Sequence, residues 1–113
     1  MIARALAAAA LAVVFASPLS EPAKIEALIQ SVAALHDAVF VRNGTEYGPA
    51  AAADHLRTKL RNAGSRVKTA DDFIRLCGST SSMTGQPYEI RWKDGRVTTS
   101  ESFLRAKLAE LEK

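Results

Sequence analysis

The chain has 113 residues, which is enough for one domain and too few for two. Its formal net charge is only +3, and the basic residues are dispersed along the chain. Without a basic patch interleaved with aromatic side chains, the composition argues against nucleic-acid binding. The single cysteine, Cys77, cannot form an internal disulfide, so the fold must be held together by its apolar core.

The N-terminal segment has the pattern of a secretory signal peptide. Arg4 precedes an uninterrupted apolar run at residues 5–15, and small residues follow it. This run is too short to cross a bilayer, which takes about 20 apolar residues. Residues 1–16 are therefore predicted to be a cleaved signal peptide, with cleavage after Ser20 as the alternative. We expect residues 21–113 to be one globular domain, periplasmic and without a membrane span after cleavage.

The first helix of the domain is predicted from Ser20, a suitable N-cap, to about Ala38. Apolar residues recur three and four positions apart, which is typical of a helix with one buried face. His36 continues this face and is expected at the edge of the core. The apolar positions are Ile25, Leu28, Ile29, Val32, Leu35 and Val39.

Two further helices are predicted after a short hairpin. Asn43-Gly44 indicates a two-residue hairpin turn, because both positions need positive φ, and it places Phe40 opposite Tyr47. The second helix is expected to begin at Gly48-Pro49 and to end at Gly64. The third begins at Thr69, whose hydroxyl can cap the helix while the following Asp71 and Asp72 favour its positive end.

The C-terminal third is predicted to form a loop, a second hairpin and a last helix. Hydroxyl residues and chain breakers at 79–87 indicate the loop. Alternating apolar residues at 88–92 indicate a half-buried strand that turns back at Asp94-Gly95. The last helix is expected from Thr99 or Ser100 to Glu112. The predicted fold class is therefore α+β, a compact single domain of about four helices and two short β-hairpins.

Four stretches in one order resemble the YfeK-like family of small exported bacterial proteins, a family of unknown function. The resemblance covers roughly residues 25–108 and implies a periplasmic location without implying an activity. The stretches are Phe40–Gly44, His55–Arg57 with Lys59-Leu60, Thr69-Ala70 with Asp72–Ile74, and Ser81-Ser82 with Thr84-Gly85 and Pro87-Tyr88.

Arginine forks and a hydroxyl-rich loop together are suited to binding a carboxylate or phosphate group. The same arginines can instead donate to loop carbonyls and hold the segment 79–84 in place, and we favour this structural role. The candidate binding residues are Arg42, His55, Arg57, Ser81, Ser82, Thr84 and Tyr88.

No residues are assigned to catalysis, metal binding or a cofactor. His36, His55 and Cys77 lack the short ligand spacing typical of zinc sites. Cys77 continues the apolar side of the third helix and is expected to be buried. Ser81 or Ser82 activated by His55 would make a small hydrolase, but no nucleophile motif surrounds either serine.

The function that these observations favour is a non-enzymatic binding or interaction module of the bacterial envelope. Its partner would be an envelope protein or a small anionic ligand. Two alternatives stay open: an inhibitor or immunity-type protein that blocks an envelope enzyme, and the small hydrolase that uses Ser81 or Ser82 with His55.

Export is the first testable prediction. Protein purified from the periplasm should lack residues 1–16, or 1–20 if cleavage follows Ser20, because signal peptidase removes the segment during translocation. Intact-mass spectrometry distinguishes the two cleavage sites. A mature chain that still begins at Met1 would contradict the prediction.

Overall fold

The computed structural model describes residues 18–113, so the predicted signal peptide at residues 1–16 lies outside the described residues. None of the helices in the described part is both long and apolar enough to span a bilayer. The elements are α1 (Glu21–Ala33), β1 (Ala38–Arg42), β2 (Thr45–Tyr47), α2 (Pro49–Ala63), a short 3₁₀ helix (Gly64–Arg66), α3 (Ala70–Cys77), β3 (Glu89–Trp92), β4 (Val97–Thr99) and α4 (Ser100–Leu111). The predicted α+β class, with four helices and two hairpins, is confirmed.

The strands form one antiparallel sheet in the order β2-β1-β3-β4. In the first hairpin Phe40 pairs with Tyr47, as predicted, and in the second Arg91 pairs with Val97. Pairing between β1 and β3 joins the two hairpins and places Phe40 opposite Ile90. Hairpin signals are local, so they do not indicate this longer-range pairing.

The glycines of both predicted turns lie at positive φ as expected, but Asp94 does not, so the second loop has three residues, Lys93 to Gly95, between Trp92 and Arg96. Asn43 and Gly44 lie at φ 52° and 79°, and Gly95 lies at φ 92°. The second turn is closed by a hydrogen bond from the Gly95 N–H to the Trp92 carbonyl at 2.9 Å. The turn residues therefore set the hairpins locally, before any packing is considered.

The helices cover one face of the sheet. Helix α2 packs on β1, α4 packs on β4, and α1 contacts the other three helices. The core lies between these helices and the sheet, and it is built mainly from aliphatic side chains with two phenylalanines, Phe40 and Phe73. Its largest fully buried side chains are Phe73, Leu28, Ile29, Ile74, Ile90, Leu104, Val32 and Cys77.

The predicted N-termini of α1 and α3 are confirmed by their side-chain caps. The Ser20 hydroxyl accepts a hydrogen bond from the Ala23 N–H at 3.2 Å. The Thr69 hydroxyl accepts from the Asp72 N–H at 3.0 Å, and the Asp72 carboxylate accepts from the Thr69 N–H at 3.2 Å. Such reciprocal bonds satisfy N–H groups that a helix start leaves without a partner.

The predicted C-terminal end of the first helix is wrong. Helix α1 ends at Ala33, and the chain turns before β1 begins at Ala38. His36 therefore lies exposed in the turn, not at the edge of the core, and Val39 lies in β1 with 37% of its surface exposed. The apolar spacing allowed a longer helix, but pairing of β1 with both β2 and β3 requires extended backbone from Ala38 onward.

The first hairpin gives a stability prediction. Gly44→Val should destabilise the protein by about 1 kcal/mol or more, because a β-branched residue is strained at positive φ. Gly44→Asn is the matched control and should cost less, since asparagine tolerates this backbone region. Urea unfolding of the two variants gives the comparison, and equal losses would contradict the explanation.

Candidate functional site

Five polar side chains meet at one rim of the interface between α2 and the sheet. They come from four different elements or their flanks, although the sheet and α2 are otherwise joined by apolar contacts. We call this group the polar cluster. Its members are Arg42, Tyr47, His55, Lys59 and Tyr88.

Local geometry explains why these residues share the rim. Arg42 ends β1, and strand alternation puts it on the same face as Phe40, toward the helices. Tyr47 lies opposite Phe40 on β2 and so extends on that face too. His55 and Lys59 are one turn apart on α2, which places both side chains on the side of the helix above the rim.

Hydrogen bonds connect the cluster into a chain. The Arg42 Nη1 lies 3.2 Å from His55 Nε2 and 3.4 Å from Nδ1, and its Nη2 donates to the Tyr47 hydroxyl at 3.0 Å. The Tyr88 hydroxyl lies 3.3 Å from His55 Nε2 and accepts from Lys59 Nζ at 2.9 Å. Since arginine only donates, the His55 nitrogen that bonds Arg42 must carry no proton.

The electrostatics of the cluster agree with a neutral histidine. Burial lowers the pKa of His55, and the positive charges of Arg42 and Lys59 lower it further. An imidazolium here would lose its hydration and would face two like charges. The imidazole is therefore uncharged at neutral pH and serves as an acceptor for Arg42.

Arg42 and Lys59 differ from the other cations of the described chain. Both are half-buried, yet neither forms an ion pair with a carboxylate within residues 18–113. Their hydrogen bonds go to neutral groups only. The other half-buried cations there each have an acidic partner; these are Lys24, Arg57, Arg105 and Lys107.

The cluster forms part of the wall of a small pocket of about 40 Å³ that is open to solvent on one side. Arg42, Tyr47, His55 and Tyr88 lie on the polar side of the lining. The remaining lining residues are Val32, Phe40, Val41, Ala52, Leu56, Glu89 and Ser100. A mostly apolar pocket with a few polar groups is the usual form of a small-molecule site.

The hydroxyl loop at residues 79–87 is held by its own backbone and by the first hairpin turn. The Ser81 hydroxyl accepts from the Met83 N–H at 3.2 Å and from Asn43 Nδ2 at 3.1 Å. The Thr84 hydroxyl donates to Asn43 Oδ1 at 2.6 Å. Ser81 and Thr84 therefore fix the loop and do not join the polar cluster, and Ser82 is exposed.

Arg57 does not contact the loop, contrary to the role that the sequence favoured for it. It forms two parallel hydrogen bonds with the Glu26 carboxylate, at 2.7 and 2.8 Å, and so links α2 to α1. Arg57, with help from the Gln30 amide, lowers the pKa of Glu26 to about 2. The loop carbonyl of Thr80 instead accepts from Lys59 Nζ at 3.0 Å.

Three residues of the site were not among the sequence candidates, although each carried a signal. Lys59 follows His55 by one helical turn. Tyr47 lies opposite Phe40 in the predicted hairpin, so its ring packs against the core and its hydroxyl lies at the edge of the core. Asn43 was recognised as a turn residue, but its amide also binds two loop hydroxyls.

The geometry offers no support for the hydrolase alternative. His55 is hydrogen-bonded to Arg42 and Tyr88, whereas the Ser81 hydroxyl is occupied by Asn43 and backbone N–H groups. No group of three or more potential metal ligands is found in residues 18–113. Cys77 is fully buried, as expected, and burial raises the pKa of its thiol.

The fold and the site together define the class of protein. It is a small α+β domain with half-buried basic residues beside an apolar pocket. The chain belongs to a family of unknown function, DUF5329, whose model matches residues 19–112. It is 44% identical over 68 residues to a Salmonella typhimurium protein named "Uncharacterized protein YfeK". The match covers 60% of this chain and 57% of that relative, so the chain spans little more than half the relative's length. The predicted YfeK-like family is confirmed, and no solved structure matches the chain.

The lowered pKa of His55 predicts acid-sensitive stability. As pH falls from about 7.5 to 5, the unfolded chain protonates this histidine near its ordinary pKa of 6.5, whereas the folded protein does so only at lower pH. The unfolded state then binds more protons, so the free energy of unfolding should decrease. This window lies above the range near 4 in which carboxyl groups ordinarily titrate.

The test is urea unfolding across that pH range. His55→Gln should flatten the decrease, while His36→Gln, which replaces the exposed histidine, should leave the slope unchanged. Identical slopes in the wild type and both variants would rule out His55 as the source.

Proposed function

We propose that the chain is an exported protein of the cell envelope that binds a small anionic ligand at the polar cluster, acting by binding rather than by catalysis. One observation carries this proposal. Arg42 and Lys59 are half-buried cations without a carboxylate partner in residues 18–113; Arg42 lines an apolar pocket beside the neutral His55, and Lys59 adjoins the pocket through its hydrogen bond to the Tyr88 hydroxyl.

The charge balance of the rim supports an anion as ligand. Removing a cation from water costs free energy that neutral hydrogen-bond partners offset less well than an opposite charge does. A bound carboxylate or phosphate oxygen would supply that charge and would weaken the repulsion around His55. Among residues 18–113, Glu89 is the acidic residue in the lining, but it pairs with Val41, so its side chain lies on the sheet face opposite Arg42.

The envelope location rests on the signal-peptide pattern at residues 1–16. The N-cap of α1 favours cleavage after Ala16 over cleavage after Ser20. Cleavage after Ala16 keeps the Ser20 hydroxyl that accepts from the Ala23 N–H. Losing an N-cap of this kind costs roughly 1 kcal/mol.

A protein partner is a second candidate, as an inhibitor or immunity-type function would require. The specific observation is Met83, which is 89% exposed in a loop that Asn43 and Ser81 hold in place. A fixed loop that presents an apolar side chain loses little conformational entropy on docking. Met83→Ser separates the two candidates, because it removes the apolar side chain and leaves the polar cluster unchanged.

The anion site is tested by titrating the mature protein with inorganic phosphate. Arg42→Gln and Lys59→Gln should each weaken binding roughly tenfold or more, since hydrogen bonds to charged groups contribute about 1.5–3 kcal/mol. Arg57→Gln is the matched control, because it removes an α2 cation that is already paired with Glu26. Isothermal titration calorimetry at low salt gives the affinities.

Equal weakening by all three variants would mean that only the net charge matters. The proposed site would then be wrong. Loss of binding in Arg42→Gln and Lys59→Gln alone would support it.

A further inference from the structure

Behind the polar cluster, the pocket continues into the core as an apolar recess. We define the recess by four lining residues, Val32, Phe40, Ala52 and Leu56. Three of them are buried core residues from α1, β1 and α2, and Ala52 is half-buried on α2. The recess and Arg42 therefore belong to one continuous pocket, and Lys59 adjoins it through the Tyr88 hydroxyl.

An alkyl group in the recess would gain dispersion contacts with its apolar walls. An inorganic anion at the rim leaves this apolar surface unused, whereas an alkyl group attached to the anion would cover it. The cationic rim therefore suits the anionic end of a ligand, and the apolar recess suits its alkyl end.

We propose that the ligand is a small amphipathic carboxylate, whose carboxylate binds at Arg42 and Lys59 and whose short alkyl group enters the apolar recess. This inference rests on the proposed function and names its ligand class. A carboxylate suits the rim because it carries a single charge and its planar oxygens match arginine N–H groups. A doubly charged phosphate monoester would lose more hydration beside apolar walls.

Ala52 gives the inference a sharp structural test. It lies on α2 three residues before His55 and four before Leu56, so it faces the pocket from the same helix. Ala52→Leu would place a larger side chain in the recess and keeps a strong helix former at the position. Ala51→Leu is the matched control, since Ala51 is exposed on the same helix.

The experiment titrates the mature protein with acetate, propionate, butyrate and pentanoate at pH 7.5, followed by NMR. Each methylene that enters the recess should tighten binding by about fourfold, the factor that corresponds to about 0.8 kcal/mol per buried methylene. Methyl resonances of Val32 and Leu56 should shift with pentanoate and not with acetate. In Ala52→Leu the affinity should no longer rise with chain length, while inorganic phosphate still binds.

The outcomes separate the two proposals. Phosphate binding with no gain along the carboxylate series would overturn the amphipathic ligand and leave the anion site standing. Absence of binding for phosphate and every carboxylate would overturn both. Pentanol that binds as tightly as pentanoate would show that the carboxylate gains nothing at the rim, which overturns the amphipathic carboxylate. If Ala52→Leu does not fold, Ala52→Val and the methyl shifts of the wild type decide the question.

Discussion

Strands β1 and β3 belong to separate hairpins, and their antiparallel pairing turns two marginal ribbons into one sheet. A two-stranded hairpin alone is barely stable in water, because it buries too little apolar surface. Pairing Phe40 with Ile90 creates a continuous apolar face that α2 and α4 can cover. The core, the position of the helices and the rim of the pocket all depend on this one contact.

The polar cluster is a consequence of where that apolar face ends. Arg42 is the last residue of β1 and Tyr88 immediately precedes β3, so the β1–β3 pairing brings both to the same end of the sheet. Helix α2 then places His55 and Lys59 above them. Arg42 and Lys59 hydrogen-bond to neutral groups and lie over the rings of Tyr47 and Tyr88, and neither pairs with a carboxylate in residues 18–113.

The residues around the cluster show why part of the site was predictable and part was not. Arg42 and His55 were candidates because arginine and histidine, combined with a hydroxyl-rich loop, suit a carboxylate or phosphate group. Arg57 was misassigned to the loop, since helical spacing alone does not say which neighbour a side chain faces. Helix α1 packs on that side of α2 and presents Glu26, so Arg57 pairs there.

Most of the secondary structure could be predicted from the sequence alone, because it is set by interactions between residues that are close in the chain. The Asn43-Gly44 turn and the Thr69 cap act within a few residues, so their signals are complete in the sequence. Three features were decided by the tertiary structure alone: the β1–β3 pairing, the end of α1 at Ala33, and the contact of Lys59, not Arg57, with the loop. These features depend on which distant surfaces meet, and that is settled by burial of the whole core rather than by any local pattern.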